Sequence, residues 1–82
     1  MPYVKQEERP RLDKVVQAMV DAKIKANGDL NYVLFKFCRG NVKPGYGNYK
    51  NYCAELRQCA TEIERRILGP YENIKMIENG DV

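Results

Sequence analysis

Between Lys36 and Arg57 the chain sets Lys36, Arg39, Lys43, Lys50 and Arg57 against a single acid, Glu55, and interleaves Tyr46, Tyr49 and Tyr52. Ammonium and guanidinium groups attract phosphate, aromatic faces stack on bases at roughly 1–3 kcal/mol each, and glycines let backbone N–H groups approach an anion. Lys43, Tyr46, Lys50 and Arg57, with Arg65 farther along, are therefore the residues expected to bind an anionic ligand, either nucleotide-like or a nucleic acid. The same pattern also fits a solvated connection between helices, with Tyr49 and Tyr52 on a core stripe. Gly45-Tyr46-Gly47 lacks the Gly-Lys-Ser/Thr ending and the preceding strand of a phosphate-binding loop.

Arg57 and Arg65 lie about two helical turns apart with Thr61 between them, forming a polar row. In a symmetric oligomer such rows could converge on one phosphate. Read more plainly, Arg65 and Arg66 are helix C-terminal charges that pair with Glu62 and Glu64.

Catalytic chemistry finds little support. The chain has no histidine, Glu62 and Glu64 point to different sides of a helix, and Glu7-Glu8 are adjacent, so no acid–base pair is expected. Cys38, Cys53 and Cys59 form no Cys-x-x-Cys pair and cannot all be bridged, which predicts reduced core thiols rather than a metal or redox site. The expectation is a protein that is not an enzyme and uses no metal or cofactor. Residues 1–11 carry no apolar signal-peptide segment, and the longest apolar run, Tyr32-Val33-Leu34-Phe35, is far short of the ~20 residues that span a bilayer. A cytoplasmic location without membrane insertion is expected.

The elements that must position these residues are helical. Leu12, Val15, Val16, Met19, Val20 and Ile24 repeat with the 3.6-residue period and predict a first helix over about 8–26. Pro10 suits its first turn, and Asn27-Gly28 suits its end. Asp29 is placed to cap the next helix. Leu30, Val33, Leu34, Phe37 and Cys38 predict a second helix over 29–40. Tyr32 and Phe35 lie off that stripe, so this helix is apolar around much of its circumference and belongs in a centre or against another chain. Residues 40–48 hold three glycines, two asparagines and a proline and read as a loop. Tyr49, Tyr52, Cys53, Leu56, Ala60, Ile63 and Ile67 predict a third helix over 48–68, stopped by Gly69-Pro70. Beyond it, Ile74 and Met76 alternate with Lys75 and Ile77, which predicts an extended tail able to pair with residues 1–5. The fold class is all-α: three helices that bury their stripes together in one domain spanning residues 1–82.

The chain has 82 residues, 44% hydrophobic and 30% charged, with a net charge of +3. A core this small rarely supplies more than about 3–5 kcal/mol, so homo-oligomerisation is a natural supplement. The mild positive charge permits anionic partners without requiring them.

The opening Met1-Pro2-Tyr3-Val4-Lys5-Gln6-Glu7-Glu8-Arg9, the Gly28-Asp29-Leu30-Asn31-Tyr32 junction, Glu62 with Arg65-Arg66, and the closing Pro70-Tyr71-Glu72 and Glu78-Asn79-Gly80-Asp81-Val82 together carry a resemblance over nearly the whole chain. They resemble a family of short uncharacterised proteins of tailed phages and bacteria. That family commonly has aromatic residues at the positions of Ile63 and Glu64, which this chain lacks. The resemblance implies a phage or prophage setting, in which small helical proteins block a host factor or sequester a nucleotide signal. Two functions are expected from these readings. The first is a non-catalytic protein that sequesters an anionic ligand in the host cytoplasm. The second is an inhibitor or accessory subunit that docks a host protein through an apolar helical face.

Overall fold

A computed structural model describes residues 4–80. The protein is all-α, and among the described residues there is no strand. The chain divides into two compact units, residues 1–42 and 43–82.

In the first unit a short 3-10 turn, Gln6–Glu8, leads into α1, Arg9–Asp21, with Pro10 in the first turn, where its missing N–H costs nothing. The helix is shorter than the expected 8–26. Just past its cap at Ala22 stands Lys23, whose φ of +56° is left-handed. The Lys23 amide donates to the Val20 carbonyl at 3.0 Å, and the Ile24 amide donates to the Met19 carbonyl at 3.1 Å. These are the two bonds of a Schellman motif, and they satisfy carbonyls that the last turn would leave unpaired. Ile24 and Met19 line one apolar depression with Val16, Val20 and Leu30, the apolar pairing across the helix end that commonly accompanies this motif.

Asn27-Gly28 is thereby free to begin the second helix rather than end the first. In α2, Gly28–Asn41, Asn27 is the cap: its side-chain oxygen accepts from the Asp29 amide at 2.9 Å. Asp29, expected to be the cap, instead lies in the first turn, where its charge complements the helix dipole. The expected loop over 40–48 contracts to residues 42–45. Asn41 continues α2 and donates from its side chain to the Phe37 carbonyl at 3.1 Å. Gly45, with φ of +154°, makes the bend that turns the chain into the next helix.

In the second unit the chain is helical without a break from Tyr46 to Asn79. This stretch comprises α3, Tyr46–Ile63, a π turn at Glu64–Leu68, and α4, Gly69–Asn79. This corrects the extended tail expected after Leu68. Gly69-Pro70 does not stop the helix because the π turn absorbs the proline: the Gly69 amide reaches back five residues to the Glu64 carbonyl, and Pro70 falls in the first turn of α4, where no N–H is required. A Cβ on residue 69 would stand 3.1 Å from that carbonyl oxygen, so the glycine permits the close approach. Glu72 in the first turn and Gly80 with φ of +84° just past the end complete α4 as a helix with ordinary boundaries. The expected partner segment, residues 1–5, and the tail's last two residues fall partly outside the described residues.

Within each unit the stripes form, but no core closes over them. Among the described residues none is buried, which corrects the expectation of stripes sealed inside a core. Leu12, Met19, Ile24, Leu30, Val33 and Leu34 are half-buried. Val15, Val16, Val20, Ile63 and Ile67 are exposed on the same stripes. Cys53 and Cys59 are also exposed, and only Cys38 is partly covered, so two of the three thiols are not core residues.

Candidate functional site

The residues expected to bind an anion are positioned chiefly by α3. The helix starts at Tyr46 because Gly45 turns the chain and the Asn48 side chain donates back to the Lys43 carbonyl at 3.0 Å. This brings Lys43 and Tyr46 to the positive end of the helix dipole. Lys50 follows Tyr46 by one turn, and Arg57 follows Lys50 by two. At about 100° per residue, Tyr46, Lys50 and Arg57 fall within roughly 40° of one another. Tyr46 is 82% exposed.

No acid stands three or four residues from Lys50 or Arg57 in the sequence. Among the described residues none of Lys43, Lys50 and Arg57 has an ion-pair partner. The Lys50 ammonium lies 5.8 Å from the Tyr46 ring centroid, a cation–π distance. The Thr61 hydroxyl donates to the Arg57 carbonyl at 3.0 Å, which keeps Thr61 on the same side. What the row offers chemically is two cations and one aromatic face, all open to solvent.

Arg65 is placed differently. It stands on the π turn, and its guanidinium donates to Glu62 at 2.7 Å, with Arg66 at 4.0 Å from the same carboxylate oxygen. The Arg65 hydrogen bond, joined by the charges of Arg65 and Arg66, holds the Glu62 carboxyl below its ordinary value against the opposing effect of desolvation. An anion at Arg65 would have to compete with that carboxylate. The structure thus gathers Tyr46, Lys50 and Arg57 on one face with Lys43 at its end, and leaves Arg65 neutralised. Tyr49 and Tyr52 face the apolar stripe instead, and Tyr52 is half-buried.

A signal not used in reading the sequence is the spacing Tyr-x-x-x-Lys, which occurs at Tyr32/Lys36, Tyr46/Lys50 and Tyr71/Lys75. In all three the ammonium sits over the ring, at 5.4, 5.8 and 5.6 Å. The Tyr46–Lys50 pair is therefore one case of a repeated local helix contact as well as part of the basic row.

A second group of large side chains lies on α2. Leu30, Val33, Leu34, Phe37 and Cys38 occupy one arc. Asp29, Tyr32, Phe35, Lys36 and Arg39 occupy the opposite arc of about 120°. Tyr32 is 63% and Phe35 65% exposed. Among the described residues no three His, Cys, Asp or Glu side chains come together in a metal-binding group, and no helix is long and apolar enough to cross a membrane.

Compared with known proteins, residues 1–82 match the family described as a domain of unknown function (DUF6899), and the chain belongs to that family. No curated protein and no solved structure matches it.

Proposed function

We propose that this family member is a non-catalytic binding protein, an inhibitor or accessory subunit that docks a protein partner through the apolar faces of its helices. The observation that carries this reading is α2, which presents large apolar side chains on both of its faces. Tyr32 and Phe35 stand among charged residues on the face opposite the apolar stripe, and covering them as well would remove further apolar surface from water. Any neighbour seated on the face of Leu30 and Phe37 leaves Tyr32 and Phe35 in solvent. The resemblance of the chain's two ends to short proteins of tailed phages supports a phage or prophage setting, with action on a partner in the host cytoplasm.

Affinity purification of the full chain tests this. A stoichiometric protein retained at high salt and lost on Phe35→Ala supports the docking reading, because burial of apolar surface is insensitive to ionic strength. Retention that vanishes as salt rises counts against it.

The α3 row favours a second reading, capture of an anionic ligand such as a nucleotide or single-stranded nucleic acid. Its support is that Lys50 and Arg57 share a face with Tyr46 and lack ion-pair partners among the described residues. Binding of this kind weakens steeply with salt, so the same salt series separates the two readings.

A further inference from the structure

The outer face of α2 is matched in charge to a second copy of itself. Asp29 lies at its N-terminal end, and Lys36 and Arg39 lie toward its C-terminal end, with Tyr32 and Phe35 between them. We propose that this face is a homodimer interface in which two α2 helices pair antiparallel about a two-fold axis. The proposal rests on the reading of α2 as a docking helix and assigns its outer face to a second copy of the chain in place of a host protein.

The register follows from the positions. Asp29 and Arg39 are equally distant from position 34, and so are Tyr32 and Lys36. A single two-fold axis at that level therefore sets Asp29 against Arg39 of the second copy and Tyr32 against Lys36 of the second copy, each pair occurring twice, as an isologous interface requires. Phe35 lies one residue from the same level, about 1.5 Å along the helix, so the two Phe35 rings meet across the axis.

The groups are available for this arrangement. Among the described residues neither Asp29 nor Arg39 has an ion-pair partner. Asp29 accepts only a long 3.4 Å hydrogen bond from the Lys25 amide at one of its oxygens. The Lys36 ammonium already donates to the Tyr32 hydroxyl at 3.1 Å and lies over its ring, which holds both side chains on the face to be covered. Antiparallel alignment also sets the two helix dipoles head to tail. A parallel pair would place Asp29 beside Asp29 and Arg39 beside Arg39, each repelling.

Sedimentation equilibrium on the full chain tests the proposal, with circular dichroism confirming helicity for every variant. The wild type should be a dimer. Asp29→Arg alone and Arg39→Asp alone should each raise the dimer dissociation constant roughly 10-fold or more, because each sets like charges together twice. An equimolar mixture of the two variants should recover the dimer, since positions 29 and 39 of the two chains then face each other with opposite charges at both ends of the interface. Phe35→Ala, which favours the helix itself, should also weaken the dimer. A wild type that stays monomeric, or a dimer indifferent to all three substitutions, overturns the self-pairing. A monomer that retains a different protein at high salt through Phe35 also overturns it while leaving the docking reading standing. A monomer that retains nothing removes both.

Discussion

The Glu62 carboxylate accepts from the Arg65 guanidinium at 2.7 Å while its own side chain is only 15% exposed. One carboxylate near the junction of α3 and the π turn thus answers two arginines, Arg65 and Arg66, and is held below its ordinary pKa chiefly by the Arg65 hydrogen bond.

A group with a depressed folded-state pKa contributes stability above its unfolded value, about 4.3 for Glu, and that contribution is lost as pH falls through the lower folded value. The helical signal of the wild type should therefore melt at a lower temperature at pH 3 than at pH 6. Glu62→Gln should lower the melting temperature at pH 6 and shrink the difference between the two pH values. Thermal melts followed at 222 nm read both effects. An unchanged pH difference in the variant would show that Glu62 does not titrate with folding.

Lys23 carries a side chain in a left-handed conformation, at a cost of about 1 kcal/mol that glycine does not bear. Lys23→Gly should raise stability by about 0.5–1 kcal/mol. Asn27→Ala, four residues on, should lower it by about 1 kcal/mol through loss of the cap to the Asp29 amide. Thermal melts of the two single variants should move in opposite directions. Equal shifts of the same sign would contradict the observed division of labour between helix end and helix start.

Pro70 accounts for the π turn before it, since a regular helix would drive its ring into the Arg66 carbonyl. Pro70→Ala should let residues 64–68 relax to a regular helix and rotate α4 relative to α3. Amide NMR would show the Gly69 hydrogen bond shifting its acceptor from Glu64 to Arg65. Persistence of the Glu64 bond would assign the π turn to Gly69 or to packing instead.

On the α3 row, Lys50→Glu with Arg57→Glu should abolish binding of a labelled single-stranded oligonucleotide at low salt, whereas Arg65→Ala should change it little because Glu62 already neutralises Arg65. Each phosphate contact removed should flatten the salt dependence by about 0.7 in log–log slope. Fluorescence anisotropy across a salt series measures this. Equal losses from all three substitutions would indicate diffuse attraction rather than a row.

The helical periodicity was legible residue by residue. The stripes over 12–20, 30–38 and 49–63 lie on helices as their spacing requires, because a repeat of three and four residues puts side chains on one face whatever surrounds it. The cations of the basic row were legible as a cluster, but the reading of residues 40–48 as a loop kept Tyr46 off the helix, and only the start of α3 at Tyr46 sets it on one face with Lys50 and Arg57. The isolated character of the row was not legible, because Arg65 looks like a fourth member until its guanidinium is found on Glu62. Boundaries set by competition were also hidden. Asn27-Gly28 could end one helix or start the next, and only the bonds from Lys23 and Ile24 to Val20 and Met19 settle which. Gly69-Pro70 reads as a stop in one dimension and is a passage in three, since a turn widened by one residue frees the carbonyl that the proline would strike.

Local pattern, then, determined where helices form and which side chains share a face, because those depend on backbone geometry over a few residues. Which apolar faces find cover is a question of what lies across space. That was decided only in the folded chain, where α2 keeps Tyr32 and Phe35 in water on the side opposite its half-buried stripe.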